Sequence, residues 1–273
     1  MNKNKLTKVA FIALACTAYM NTNAQEKTYP EQEKMKPGMS EYWTPQPKVV
    51  TPGNIQTNSA PSDAIILFDG KDLSAWESAK DGGAAEWDVH DGVFTVNKKK
   101  GDILTKQAFE NFQLHIEWYV PANITGKSQG RGNSGVYLQN MYEIQILDSY
   151  NNETYVNGQA GSVYKQTPPL VNAMRKPGEW NVYDIIYSAP IFKEDGTYRI
   201  PPRVTVIQNG VVVQNNTSTF RTTEPFKLSC RTPILPCRPV LSFSRCRNSR
   251  SSESSAFFHT VRRRLNSCIC CCN

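Results

Sequence analysis

The residues with the most chemical potential fall in two neighbouring stretches. The first is Arg131-Gly132-Asn133-Ser134-Gly135-Val136-Tyr137-Leu138, and the second Tyr142-Glu143-Ile144-Gln145-Ile146-Leu147-Asp148. Both alternate apolar and polar residues at the period of a β-strand, whose side chains point to opposite faces in turn. If Val136, Leu138, Ile144 and Ile146 face a core, then Asn133, Tyr137, Gln139, Glu143 and Gln145 share the other side. An earlier run, Phe112 to Val120, sets Leu114, Ile116 and Trp118 inward and His115, Glu117 and Tyr119 outward. Glu117 is therefore expected on the same polar face. Rings, amides and carboxylates in one hollow suit a carbohydrate, because rings stack on pyranose faces while amides and carboxylates bind hydroxyls. The plain alternative is a sheet's polar outer surface.

Asp148 has the wrong parity for that face. A β-bulge between Ile146 and Asp148 would turn it round, making Glu143 and Asp148 a pair of one base and one acid. Without the bulge, Asp148 caps a turn. Other chemistries find no support. His90 precedes the Asp91-Gly92 turn and His115 is a lone strand residue. No Ser or Cys triad, phosphate loop or metal-ligand cluster is present. No cofactor is expected, although a divalent metal stays open.

Turn chemistry divides the elements that must carry these residues. Short alternating runs span Ile65–Phe68, Glu86–Val89, Val93–Val96, Ile103–Thr105, Phe112–Val120, Ser134–Leu138, Tyr142–Leu147, Trp180–Ser188, Val204–Ile207 and Val211–Gln214. The last two flank Asn209-Gly210, a strong hairpin signal. No helical period is sustained. About ten strands in such a span predict an all-β sandwich or jelly roll of two antiparallel sheets.

Both ends differ from this body. Lys3, Lys5 and Lys8 precede an apolar run from Val9 to Met20 and then Thr22-Asn23-Ala24, the pattern of a secretory signal (1–24) cut after Ala24. A lipoprotein cut at Cys16 is the lesser alternative. Export to the periplasm or beyond is expected, with no stable membrane span after cleavage, since so short a run cannot cross a bilayer as a helix. Residues 25–62 carry six prolines and read as an extended lead-in, either floppy or laid over the domain through Tyr42 and Trp43. The body proper is 63–221.

Of the net charge of +7, all lies in 222–273, which holds nine Lys and Arg against two acidic residues and seven of the eight cysteines. The basic balance therefore says nothing about the body, and no nucleic-acid partner is expected. Irregular cysteine spacings with only His259 nearby exclude a zinc site, and three adjacent cysteines are awkward to bridge. The preferred reading of this Ser-, Arg- and Cys-rich tail is translation out of frame.

Several segments taken in order resemble a known family. They are Leu67-Phe68-Asp69-Gly70-Lys71-Asp72-Leu73 with Trp76, Trp87-Asp88-Val89, Asp91-Gly92, Asn133 to Tyr137, Tyr142 to Asp148, Gly161-Ser162-Val163-Tyr164, Gly178-Glu179-Trp180-Asn181 and Asn209-Gly210. Together they look like the 3-keto-disaccharide hydrolase family, also described as 3-keto-glucoside 1,2-lyase/3-keto-2-hydroxyglucal hydratase, over about residues 62–217. The resemblance implies a concanavalin-like jelly roll and cleavage of glycosides already oxidised at C3. The family motif marks positions without distributing roles; on this chemistry Glu143 is expected as the base and Asp148 as an aid to the leaving group, with the sugar held by Arg131, Asn133, Tyr137, Gln145, Glu117 and Tyr164. Members finish with a closing strand against the first, which the tail does not match, so that strand is expected to be missing.

Two other readings stay open. Glu143, Gln145 and Asp148 have the spacing of concanavalin-like retaining endoglucanases, although those want carboxylates at all three places. A non-catalytic sugar-binding module could use the same sandwich.

Overall fold

The computed structural model describes residues 34–39, 45–54 and 59–220, with the backbone of strands at 242–244, 260–262 and 267–271. The chain divides into two units, 1–48 and 49–273. In the first, the described residues form one 3-10 turn at Pro37–Met39. The expected signal segment, Tyr42 and Trp43 lie outside the described residues.

The second unit is built from strands: β1 (Ile65–Phe68), β2 (Trp76–Ser78), β3 (Asp88–His90), β4 (Val93–Thr95), β5 (Ile103–Thr105), β6 (Phe112–Tyr119), β7 (Ser134–Leu138), β8 (Tyr142–Ile146), β9 (Trp180–Ser188), β10 (Ile191–Phe192), β11 (Tyr198–Ile200), β12 (Arg203–Gln208), β13 (Val211–Ser218), β14 (Ser242–Ser244), β15 (Thr260–Arg262) and β16 (Ser267–Cys271). They make a two-sheet antiparallel sandwich. The larger sheet runs β13-β12-β9-β6-β15-β4-β3, with β16 between β6 and β1. The smaller runs β2-β5-β14-β7-β8, and β10-β11 is a separate hairpin. No helix among the described residues is long and apolar enough to cross a membrane.

Alternation in the sequence becomes alternation in burial. On β6, Leu114, Ile116 and Trp118 are almost wholly buried, and on β9 Tyr183, Ile185 and Tyr187 are too. They meet Val136, Leu138, Ile144 and Ile146 of the smaller sheet in one core. Aromatic rings fill the interlayer: Trp118 lies 5.3 Å from Tyr183, Phe112 lies 5.1 Å from Tyr187, and Phe68 meets Phe94 edge-on at 4.9 Å. Such buried tyrosines need partners for their hydroxyls. Tyr183 Oη donates to the Gln145 carbonyl at 2.7 Å, and Tyr187 Oη donates to Gln139 Oε1 at 3.0 Å. Both bonds tie β9 to the β7–β8 hairpin across the layers. Burial holds the Tyr183 and Tyr187 hydroxyls far above the ordinary phenol range, so they act as fixed donors.

The Asn209-Gly210 turn forms as expected, with φ of 53° and 83°, both in the left-handed region that glycine and asparagine tolerate. Strands beyond the expected set are β2, the β10–β11 hairpin and three in the tail. Those three correct one expectation. The closing position is not vacant, because β16 pairs antiparallel with β1 through Ile65↔Ile269 and Ile66↔Cys268 and with β6 through Cys268↔His115 to Cys271↔Phe112. β14 lies between β5 and β7, and β15 joins β4 to β6. Backbone hydrogen bonding is indifferent to side-chain identity, which is how a segment without strand grammar fills places inside both sheets.

Candidate active site

The β7–β8 hairpin pairs Gly135 with Gln145 and Tyr137 with Glu143. Directly opposed residues project from the same face, so Gly135, Tyr137, Glu143 and Gln145 share the side away from the core. The segment after residue 160 extends this face. Ile144 bridges Val163, Gln145 N donates to the Ser162 carbonyl at 3.0 Å, and Tyr164 N donates to the Glu143 carbonyl at 2.9 Å. That register sets Tyr164 opposite Glu143. The plain alternative of a solvated outer surface does not hold, because exposure is 5% at Tyr137, 8% at Glu143, 0% at Gln145 and 7% at Asn133.

Gln145 is fixed by its amide. Its Nε2 donates to Asn133 Oδ1 at 3.0 Å and to the Ile146 carbonyl at 3.1 Å. Asn133 Nδ2 in turn donates to the Gln129 carbonyl at 2.9 Å, which decides the orientation of both amides. Gln145 Oε1 is then left without a hydrogen-bond donor among the described residues. A buried acceptor in that state costs free energy and is a natural seat for a ligand hydroxyl.

Asp148 lies past the end of β8 and is fully buried. Its Oδ2 is 2.7 Å from Arg131 Nε in an ion pair, and its Oδ1 accepts from Tyr150 N at 3.1 Å. The backbones interlock too, since Asp148 N donates to the Arg131 carbonyl at 3.2 Å. Arg131 Nη2 donates to the Tyr150 carbonyl. This contact needs glycine at 132, whose φ is +61° and whose added Cβ would meet Asp148 Cβ at 3.1 Å and Val120 Cγ1 at 3.2 Å. Burial raises the Asp148 carboxyl above the usual carboxylate value, and Arg131 only partly offsets it. The acid–base pair expected of Glu143 and Asp148 thus takes another form. Glu143 stands on the polar face, whereas Asp148 and Arg131 neutralise each other behind the 128–132 loop.

Glu117 is not brought to this face. It sits on β6, in the larger sheet, where its cross-strand neighbour is Val182. It projects from the far side of the sandwich. On that side His115 is not a lone residue, for its Nδ1 lies 2.6 Å from Asp184 Oδ1. Among residues not anticipated, Gln129 supports Asn133 and anchors its own Nε2 on Thr154 Oγ1 at 2.8 Å and the Gly158 carbonyl at 2.9 Å. Tyr155 bonds Tyr164, hydroxyl to hydroxyl, at 2.6 Å, and Lys165 Nζ sits 5.8 Å from the Tyr164 ring centre. Gln129 and Tyr155 both lie in irregular segments, where spacing carries no directional signal. Among the described residues no three His, Cys, Asp or Glu side chains gather as a metal-ligand set.

Known proteins resemble this chain. Residues 63–231 match the family described as the 3-keto-alpha-glucoside-1,2-lyase-like domain. A Bacteroides thetaiotaomicron protein named 3-keto-disaccharide hydrolase is 26% identical over 216 residues, covering 64% of this chain and 71% of its own. A crystal structure of a Parabacteroides distasonis protein assigned as a glycosyl hydrolase is 59% identical. It covers 87% of this chain and 97% of its own, with a TM-score of 0.74.

Proposed function

The chain belongs to the 3-keto-alpha-glucoside-1,2-lyase-like family, and from that membership we propose that it cleaves 3-keto glycosides by elimination and rehydration. It is an enzyme of the 3-keto-disaccharide hydrolase kind. A ketone at C3 acidifies the proton at C2, so one positioned base can begin the reaction. Glu143 takes that proton. The electron pair of the broken C2–H bond forms the C1=C2 double bond as the C1–O bond breaks, and the departing alcohol gains a proton from solvent or from Glu143. Water then adds to C1 of the enone and a proton returns to C2, giving net hydrolysis.

The observation that carries this reading is a buried carboxylate, Glu143, on a dry polar face beside the acceptor of Gln145, which has no donor among the described residues. Gln145 Oε1 accepts a sugar hydroxyl, and Tyr137 and Tyr164 flank the base. Asp148 and Arg131 shape the loop that holds Asn133. Retaining double displacement asks for two carboxylates about 5–5.5 Å apart across the scissile bond, and Asp148, closed against Arg131, supplies no second one. Export is part of the proposal, resting on the lysines and apolar run before Ala24, and N-terminal sequencing of exported protein reads the cut.

The test is turnover of p-nitrophenyl 3-keto-α-glucoside and of the unoxidised glucoside by the full chain and by Glu143→Gln. Activity confined to the keto substrate and abolished by the substitution is expected. Turnover of the plain glucoside, or an active variant, rejects the reading, and binding without turnover leaves a sugar-binding module.

A further inference from the structure

Glu143 does not stand upright from its strand. A Cβ built on Gly135 would overlap its Oε1 outright and meet its Cγ at 2.8 Å and Cδ at 2.9 Å. Real Cβ atoms essentially never make such contacts. The Glu143 side chain therefore lies across the neighbouring strand, occupying the volume that any other residue at 135 would fill. Gly135 is buried on β7 and is absent from the positive-φ glycines, so the backbone does not ask for glycine there. Its ladder partner is Gln145, the residue whose amide oxygen has no donor among the described residues. The carboxylate thus leans along the sheet towards the row that holds Gln145, rather than towards its own partner Tyr137.

We infer that Gly135 is a positioning residue for the reaction, its missing side chain being the seat that fixes where the Glu143 carboxylate rests. The inference rests on Glu143 as base, as proposed above, and adds what places that base. Several features make the seat specific. The three atoms nearest to an added Cβ all belong to Glu143, so a side chain at 135 displaces this glutamate before anything else. Glycine in the middle of a strand costs stability relative to alanine, so its presence in a fully buried strand, burial pattern unbroken from Ser134 to Leu138, needs a reason that packing of the core does not give. Proton abstraction is also sensitive to placement, since a shift of about 1 Å in a catalytic group can cost about a hundredfold in rate.

The consequence is a coupling between two positions with no covalent link. Gly135→Ala forces the carboxylate off the sheet and out of reach of C2, while leaving the rest of the polar face, and hence sugar binding, in place. Substrate affinity and turnover should therefore separate. The same overlap disappears when the glutamate is shortened, because Glu143→Ala removes the three atoms that the new Cβ would meet first.

The experiment compares the wild type, Gly135→Ala, Glu143→Ala and the double variant, in thermal unfolding and in turnover of p-nitrophenyl 3-keto-α-glucoside. Gly135→Ala is expected to lower kcat by about a hundredfold with KM within about threefold. It should lower the unfolding midpoint when Glu143 is intact and leave it unchanged, or raise it, in the Glu143→Ala background. Wild-type kcat in Gly135→Ala, or an equal loss of midpoint in both backgrounds, overturns the inference. If Gly135→Ala alone fails to fold, the double variant decides: a folded double supports the seat and an unfolded one refutes it. An active Glu143→Gln sinks the assignment of the base yet leaves the unfolding cycle to report on the seat. An inactive Glu143→Gln beside a fully active Gly135→Ala sinks only the seat.

Discussion

Gln145 Nε2 donates to Asn133 Oδ1 at 3.0 Å, joining the last residue but one of β8 to the residue just before β7. Because Asn133 is itself held by the Gln129 carbonyl at 2.9 Å, the acceptor on Gln145 is aimed by a chain of bonds that begins in the 128–132 loop. The direction of a buried acceptor on β8 is thereby tied to a loop earlier in the chain, in which Gln129 stands.

Asn133→Ala should loosen the Gln145 amide, leaving it only its bond to the Ile146 carbonyl. Turnover of a 3-keto glucoside is expected to fall about tenfold to a hundredfold in kcat/KM, with a loss of about 1 kcal/mol in stability for the hydrogen bonds removed. Kinetics on the purified variant, with Gln129→Ala as a milder companion, check this. Full activity in Asn133→Ala would remove the aiming role.

The buried pair of Asp148 and Arg131 should govern acid behaviour. The folded protein keeps the Asp148 proton to a higher pH than the unfolded chain does, since burial raises its carboxyl. It therefore binds more protons in that window, and stability from this group is full below the ordinary carboxylate value and lost as pH rises through the raised one. Arg131→Met leaves the carboxylate buried without its counter-charge and should cost about 3–5 kcal/mol at neutral pH. Part of that loss should return on acidification, as Asp148 takes up its proton. Urea unfolding of the variant against wild type across pH 4 to 7 measures it, and a deficit that widens on acidification would contradict the sign.

Tyr183→Phe removes the donor that crosses the layers to the Gln145 carbonyl. That carbonyl still accepts from Gly161 N at 3.0 Å, so it is not stranded. A loss of about 1 kcal/mol is expected, read as a lower midpoint in denaturant at unchanged slope. An unaltered midpoint would mean that the bond holds no net stability.

Much of the polar face was legible because alternation is a local rule. Glu143 and Gln145 were separated from Ile144 and Ile146 by parity alone, and the hairpin brought Tyr137 and Gly135 alongside as spacing requires. Parity names a face but not a sheet, and there the reading failed for Glu117, whose strand β6 pairs with β9 instead of joining β7. Which strands become neighbours is settled by long-range packing that no short window contains. Asp148 shows a second limit. Its fate turned on Arg131 and on the close approach at Gly132, so counting along one strand could not find it. The tail shows a third, since its strands are held by backbone pairing, which leaves no mark on side-chain pattern.

The position of β16 bears on how this protein comes to be folded. β1 is among the first strands made, yet its neighbour is supplied by Ile269 opposite Ile65, roughly two hundred residues later, and the same strand flanks β6. Closing so long a loop is slow and entropically costly. Until synthesis has passed β16, β1 and β6 wait without this neighbour, and the nascent protein is open to pairing with other copies. Its yield should therefore depend on crowding and on chaperones more than on the strength of the finished core.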